Sequence, residues 1–168
     1  MDEPVISDMP AITLFGVSFW GDPYDIGPEW TEGNAIGRLW KRFFAMQASL
    51  PEEALPRDAE SFEVHVMAPH DADRGYREVF VGRRVVPGYV YPVEFSVKAI
   101  PASSCARVTL RGREITDGWE WLYGTWLPNS GYRDRNWMAE VFDARFKGLA
   151  PGEIESSVIE VIMPVVPK

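Results

Sequence analysis

Hydrophobic and polar positions change period along the chain, and each change marks an element. Met9 to Phe19 is rich in β-branched and aromatic residues and runs into the turn signal Gly21-Asp22-Pro23, which predicts a strand. Tyr24 to Thr31 reads as loop, and Thr31 or Asn34 supplies a helix cap. Ile36, Leu39, Trp40, Phe43, Phe44 and Gln47 then fall on one helical stripe, with Arg38, Lys41 and Arg42 on the wet side and Pro51 as the stop. From Ser61 to Met67 the chain alternates: Phe62, Val64 and Val66 point one way, Glu63, His65 and Met67 the other. Tyr76 to Val86 is the hairpin partner of this strand, across the polar turn Pro69 to Gly75.

The second half follows the same plan. Phe95 to Leu110 predicts a strand broken at Pro101, and Glu114 to Trp126 a helix with Ile115, Trp119, Leu122 and Trp126 on its stripe. Gly118 and Gly124 each lower its intrinsic stability by roughly 1 kcal/mol, so packing must hold it. Trp137 to Phe146 and Ser157 to Val166 complete the set as strands. The order is β-α-β-β, twice. Ile36-x-x-Leu39-Trp40 has its counterpart in Ile115-x-x-x-Trp119, and Phe62-Glu63-Val64 in Ala139-Glu140-Val141, at a spacing of roughly 80 residues, which implies an internal duplication. The expected architecture is α+β: a single domain over residues 1–168 with pseudo-repeats at about 9–86 and 95–166. Its duplicated units form a joined antiparallel sheet with both helices on one face and a groove between them.

Charge narrows the function. A net charge of −8 repels phosphate backbones and argues against direct nucleic-acid binding. The start of the chain has no basic segment leading into an apolar one, and no apolar run approaches the ~20 residues of a membrane span, so a soluble, cytoplasmic protein without membrane association is expected. One cysteine, Cys105, excludes an internal disulfide, and its place on a predicted strand suits a small buried hydrophobe. Seven Trp, six Tyr and nine Phe are more than a core of this size needs, and such an excess can line a site for flat or cationic ligands.

Glu140 is the residue that stands out. On the predicted strand Trp137 to Phe146, one face carries Met138, Glu140, Phe142, Ala144 and Phe146, so a carboxylate interrupts an apolar row. Such a group must be compensated, either by a cation or donor within the protein or by a ligand. Ringed by aromatic faces, it would attract a lipophilic cation through both charge and ring quadrupoles. The candidate ligand-binding set is Glu140 with Trp119, Tyr123, Phe142, Met138, Trp40, Phe19 and Trp20. His65 and His70 lack metal-ligand spacing with the cysteine, and there is no phosphate loop, nucleophile elbow or zinc-protease motif, so neither metal nor cofactor is expected.

Four stretches, in order and spread over nearly the whole chain, carry a family resemblance: Ile36-Gly-Arg-Leu-Trp-Lys-Arg-Phe43; Phe80-Val-Gly82; Trp119-x-Trp-Leu-Tyr123 running into Trp126-Leu-Pro-Asn-Ser-Gly-Tyr132; and Ala139-Glu140-Val-Phe142. The sequence resembles the gyrase-inhibitor-like, AraC-type effector-binding domains of bacteria. That resemblance implies the duplicated fold, a groove between two helices, and binding of amphipathic, often cationic, multi-ring compounds. It implies that Glu140 holds the ligand's charge. Phe142 stands where the family usually has Tyr, so a hydroxyl is missing there. No helix-turn-helix segment fits within these 168 residues. Three functions follow: a stand-alone binder of hydrophobic cations, a hydrolase of cyclopropane-bearing electrophiles using the same glutamate as a general base, or a protein that contacts gyrase or a transcription regulator. No second catalytic group is visible in the sequence, which sets binding ahead of catalysis.

Overall fold

The computed structural model describes residues 1–26, 33–58, 60–71 and 74–168. The first half supplies β1 (Val5–Met9), β2 (Ile12–Gly21), α1 (Ala35–Gln47), β3 (Ser61–Val66) and β4 (Arg77–Arg84). The second supplies β5 (Ser96–Ile100), β6 (Ser103–Arg111), α2 (Glu114–Trp121), β7 (Tyr132–Asp134), β8 (Trp137–Phe142) and β9 (Val158–Pro167). The strands form one antiparallel sheet in the order β1-β6-β9-β8-β3-β4-β2-β5, with β7 attached to β9. That order reads alike from both ends when β1 is matched to β5, β6 to β2, β9 to β4 and β8 to β3. Its midpoint is the β3–β8 pair.

Both helices lie on one face. α1 covers Phe15, Val17, Val79 and Val81 with Ile36, Leu39 and Phe43. α2 covers Leu110, Met138, Ile159 and Val161 with Ile115 and Leu122. The other face is apolar too: Met9, Leu14, Phe62, Val64, Phe80, Ile100, Cys105, Val141 and Ile162 form a buried cluster of their own. Strand curvature accounts for this burial. β1 runs into β2 through Pro10-Ala11, and β5 into β6 through Pro101-Ala102, although each of these links joins opposite ends of the strand order. A link of that length reaches at most about 11 Å, so the sheet curls until its ends approach and its concave side closes on itself. Gly16 and Gly82, opposite each other in register, assist: a Cβ on either would sit 2.0 Å from Val81 O or 2.2 Å from Phe15 O, and the bare backbones leave room for the Phe80 ring.

Local sequence explains the helix ends. Asn34 Oδ1 accepts the Gly37 amide at 2.8 Å and caps α1, whereas Thr31, the alternative cap, lies outside the described residues. α1 ends at Gln47, ahead of Pro51, which instead introduces a 3₁₀ turn at Glu52–Ala54. The expected single helix from Glu114 to Trp126 is α-helical to Trp121 and then widens into a π turn over Leu122–Trp126. Pro128 is the physical reason: it has no N–H for the Gly124 carbonyl and its ring would strike it, so the Leu127 amide reaches back to Leu122 O instead. Gly118, unfavourable for a helix, is needed for contact, since a Cβ there would lie 2.3 Å from Leu110 Cδ1.

Three boundaries differ from the sequence expectation. The strand from Met9 to Phe19 is two strands divided at Pro10-Ala11, and the first begins at Val5. The strand from Trp137 stops at Phe142, not Phe146, because Asp143 turns the chain by accepting the Arg145 amide at 2.8 Å. β7 follows the Trp126-Leu-Pro-Asn-Ser-Gly-Tyr132 stretch and is too short for any period to reveal. Among the described residues no helix is long and apolar enough to cross a membrane.

Candidate ligand-binding site

At the midpoint of the sheet, Glu63 on β3 stands directly opposite Glu140 on β8. Period-two alternation puts both on the helix-bearing face, because Phe62, Val64, Ala139 and Val141 take the concave one. Opposed residues in an antiparallel pair carry their Cβ atoms roughly 5 Å apart, so two carboxyl groups share one interior site. They are 1% and 4% exposed. Each receives an indole from the helix above it: Trp40 Nε1 on α1 donates to Glu63 Oε2 at 2.5 Å, and Trp119 Nε1 on α2 donates to Glu140 Oε1 at 2.5 Å.

His65, two residues along β3 and also buried, has Nε2 2.7 Å from Glu63 Oε1. Its ring meets Trp119 edge-on at 4.7 Å, and its Nδ1 is buried without a hydrogen-bond partner among the described residues. Among those residues, no Lys or Arg lies within ion-pair distance of either carboxylate. Burial pushes the Glu140 carboxyl up to about 8, the neighbouring Glu63 charge adds to the rise, and the Trp119 hydrogen bond opposes it. Tyr24 stands in the same field. Burial raises its phenol, the Arg77 guanidinium opposes the rise, and the charges of Glu140 and then Glu63 add to it. Arg77 sits 5.7 Å from the centre of the Tyr24 ring.

The carboxyl pair opens into a cavity of about 400 Å³, walled by Tyr24, His65, Ile115 and Trp119 and roofed by Leu149 and Ile154. A larger hollow of about 750 Å³ lies on the far side of Trp40, walled by Trp40, Phe44, Phe142 and Phe146, with Leu149 and Pro151 above. The volumes are those of small-molecule sites. The roof segment between β8 and β9 is fastened by Ser157, whose buried hydroxyl accepts the Lys147 amide at 2.9 Å and the Gly148 amide at 3.1 Å.

The expected site residues divide into three groups. Glu140 and Trp119 meet in the smaller cavity. Trp40 and Phe142 wall the larger hollow, their rings edge-to-face at 5.3 Å. The other four are placed elsewhere. Met138 is fully buried against α2, where the side-chain row that carries Glu140 enters the core. Tyr123 stacks on the far side of Trp119 at 6.1 Å and directs its hydroxyl to Asp134 at 3.5 Å. Phe19 packs in the α1 core, and Trp20, one residue on and therefore on the opposite face of β2, is 55% exposed against Tyr76.

Glu63, His65 and Tyr24 were not among the expected site residues. The signal for Glu63 was in the sequence: it aligns with Glu140 across the two halves, and it too sits in an alternating strand beside apolar residues. His65, without metal-ligand spacing in the sequence, gave no such signal. Among the described residues no three His, Cys, Asp or Glu side chains converge as a metal set.

A curled antiparallel sheet with two helices over a central, ligand-sized cavity is the architecture of an α+β effector-binding domain. The family model for Cass2, the integron-associated effector binding protein, matches residues 5–165, and the chain belongs to that family. Sequence comparison with curated proteins gives no significant match. Solved structures share the fold at low identity. SAV2435 bound to tetraphenylphosphonium superposes with a TM-score of 0.68 at 12% identity, covering 98% of this chain and 94% of that one. The integron cassette protein VCH_CASS2 from the mobile metagenome of Vibrio cholerae gives 0.61 at 12%, covering 98% and 96%. The EcmrR C-terminal domain gives 0.65 at 12%, covering 99% and 98%.

Proposed function

We propose that this protein binds a small-molecule effector that is a lipophilic organic cation, and that the cation lies in the cavity over Glu63 and Glu140. The observation that carries the reading is the carboxyl pair itself. Two acids buried side by side, held by indoles and one histidine, have no lysine or arginine beside them among the described residues, and an unpaired buried carboxylate is costly. A cation seated about 5 Å away in surroundings of effective dielectric ~20 recovers about 3 kcal/mol per carboxylate. Trp119 and Tyr24 add ring faces. That a fold relative is described bound to tetraphenylphosphonium supports the same chemistry.

The test is a tryptophan-fluorescence titration with tetraphenylphosphonium, since Trp119 borders the cavity. Saturable quenching is expected, weakened about 100-fold in Glu63→Gln and in Glu140→Gln. Equal affinity in the parent and both variants refutes the reading.

One observation favours a second reading, hydrolysis. Glu140, held up to about 8, faces a second carboxyl, Glu63, across a single strand pair, so one cavity holds the two carboxyl groups that acid–base hydrolysis uses. Cyclopropane-bearing electrophiles are the substrates to try. Recovery of every compound unchanged after incubation leaves binding alone.

A further inference from the structure

The two hollows share a wall. Leu149 borders both, and Trp40 separates them: its ring faces the larger one while its Nε1 holds Glu63 in the smaller. On α1, Ile36 faces the carboxyl cavity and the next residue, Gly37, faces the larger hollow. The larger space is apolar in its depth, with Trp40, Phe142 and Phe146, and carries Lys41, Asp143 and Glu153 in its lining as well. Phe44, on the same lining, is 53% exposed. Phe44 carries the apolar lining of the hollow out to its open rim. Its roof is ordered by the Ser157 hydroxyl, so the space is built into the fold.

We infer that the carboxyl cavity is one half of a two-compartment site, and that the hollow between α1 and the segment after β8 receives an apolar arm of the same cation. The inference rests on the cation reading above and adds the shape of the ligand: a charged head with an extended hydrocarbon or aromatic arm. Continuity through Leu149 sets the route, because its flexible side chain is the part of the partition that an arm must displace. The charge over Glu63 and Glu140 sets the direction, since among the described residues the larger hollow has no buried carboxylate to hold the head.

The experiment compares methyltriphenylphosphonium with hexyltriphenylphosphonium by calorimetry, on the parent, on Ala150→Trp and on Pro151→Glu. Ala150 and Pro151 line the larger hollow and not the carboxyl cavity, and both are exposed, so each variant fills or charges that space away from the Trp40–Glu63 bond. Each buried methylene strengthens binding about fourfold, and partial burial of five of them still gives at least a tenfold tighter hexyl compound in the parent. The expected result is that this gain falls to twofold or less in both variants while the methyl compound binds all three proteins alike. A gain retained in both variants, or no gain in the parent, overturns the two-compartment site and leaves the cation reading standing. If neither compound binds the parent, the cation reading fails and takes the inference with it. Unchanged circular-dichroism melting of the variants separates a filled hollow from a damaged fold, and if one variant is damaged, the other decides.

Discussion

Replacing Glu140 by glutamine removes a titration that the fold itself has displaced. In the folded protein the Glu140 carboxyl is held up to about 8, against 4.5 for an ordinary glutamate, first by burial and then by Glu63. The unfolded chain therefore releases this proton near 4.5 while the folded chain keeps it to about 8. Over that interval the folded state binds one more proton, and stability falls by about 1.4 kcal/mol for each pH unit. The group's stabilising effect is complete below the unfolded value and is lost as pH rises through the folded one. From 4.5 to about 8 the loss amounts to about 5 kcal/mol, or roughly 10–20 °C of melting temperature for a chain of this size. Glutamine keeps the shape and an acceptor for Trp119 Nε1 but does not ionise. Melting temperatures of parent and Glu140→Gln, measured between pH 4 and 9, should therefore run together at the acid end and separate above pH 5, with the variant the more stable at pH 8. Acids remote from the pair titrate alike in both proteins and cancel in the difference, which reports Glu140 together with its coupling to Glu63. Parallel curves across the whole range would refute the displaced titration.

The same proton should compete with a bound cation. Among the described residues, Glu63, His65, Tyr24 and, behind Tyr24, Arg77 are the other titratable and charged groups around it. Phosphonium affinity should then rise from pH 5 to 8 while the stability of the free protein falls, and calorimetry in buffers of different ionisation enthalpy should record proton release. Binding without proton release over that range contradicts it. Trp40→Phe removes the Nε1 donor to Glu63 and leaves a buried carboxylate oxygen without its indole; urea unfolding should show a loss of about 1–3 kcal/mol, and an unchanged midpoint would deny that bond a role. Gly118→Ala should also destabilise, although alanine is the better helix former by about 1 kcal/mol, because its Cβ would lie 2.3 Å from Leu110 Cδ1 and push α2 off β6. A raised melting temperature would show that the contact yields.

How much of this was legible in the sequence follows from which forces act locally. Strand alternation around Phe62-Glu63-Val64 and Ala139-Glu140-Val141 requires only nearest neighbours on a pleat, so both elements and the face each glutamate takes were readable. The helical stripes of α1 and α2 were readable for the same reason. Boundaries governed by single contacts were not: the divide at Pro10-Ala11 depends on the sheet curling, and the stop at Phe142 depends on the Asp143 side chain bonding the backbone of Arg145.

The site shows the same division. Glu140 is conspicuous because a charge in an apolar row is improbable on local grounds. Its environment is a matter of pairing, and pairing is long-range: only the register of β3 against β8 makes Glu63 its neighbour. Aromatic residues gave the weakest signal. Trp119 and Tyr123 are four apart on one helix, yet one indole bonds a carboxylate in the cavity while the other ring packs behind it. A ring's composition is indifferent to whether it faces core or cavity; a polar edge is not. Both tryptophans that reach the carboxyl pair do so through Nε1, the one donor an indole has. Trp40 and Trp119 occupy matching places on α1 and α2, and Glu63 and Glu140 matching places on β3 and β8, so each half contributes one indole–carboxylate unit. Placing those units in register brings two carboxyl groups together in the interior, which neither half alone would do, and it is on this juxtaposition that the proposed binding of a cation rests.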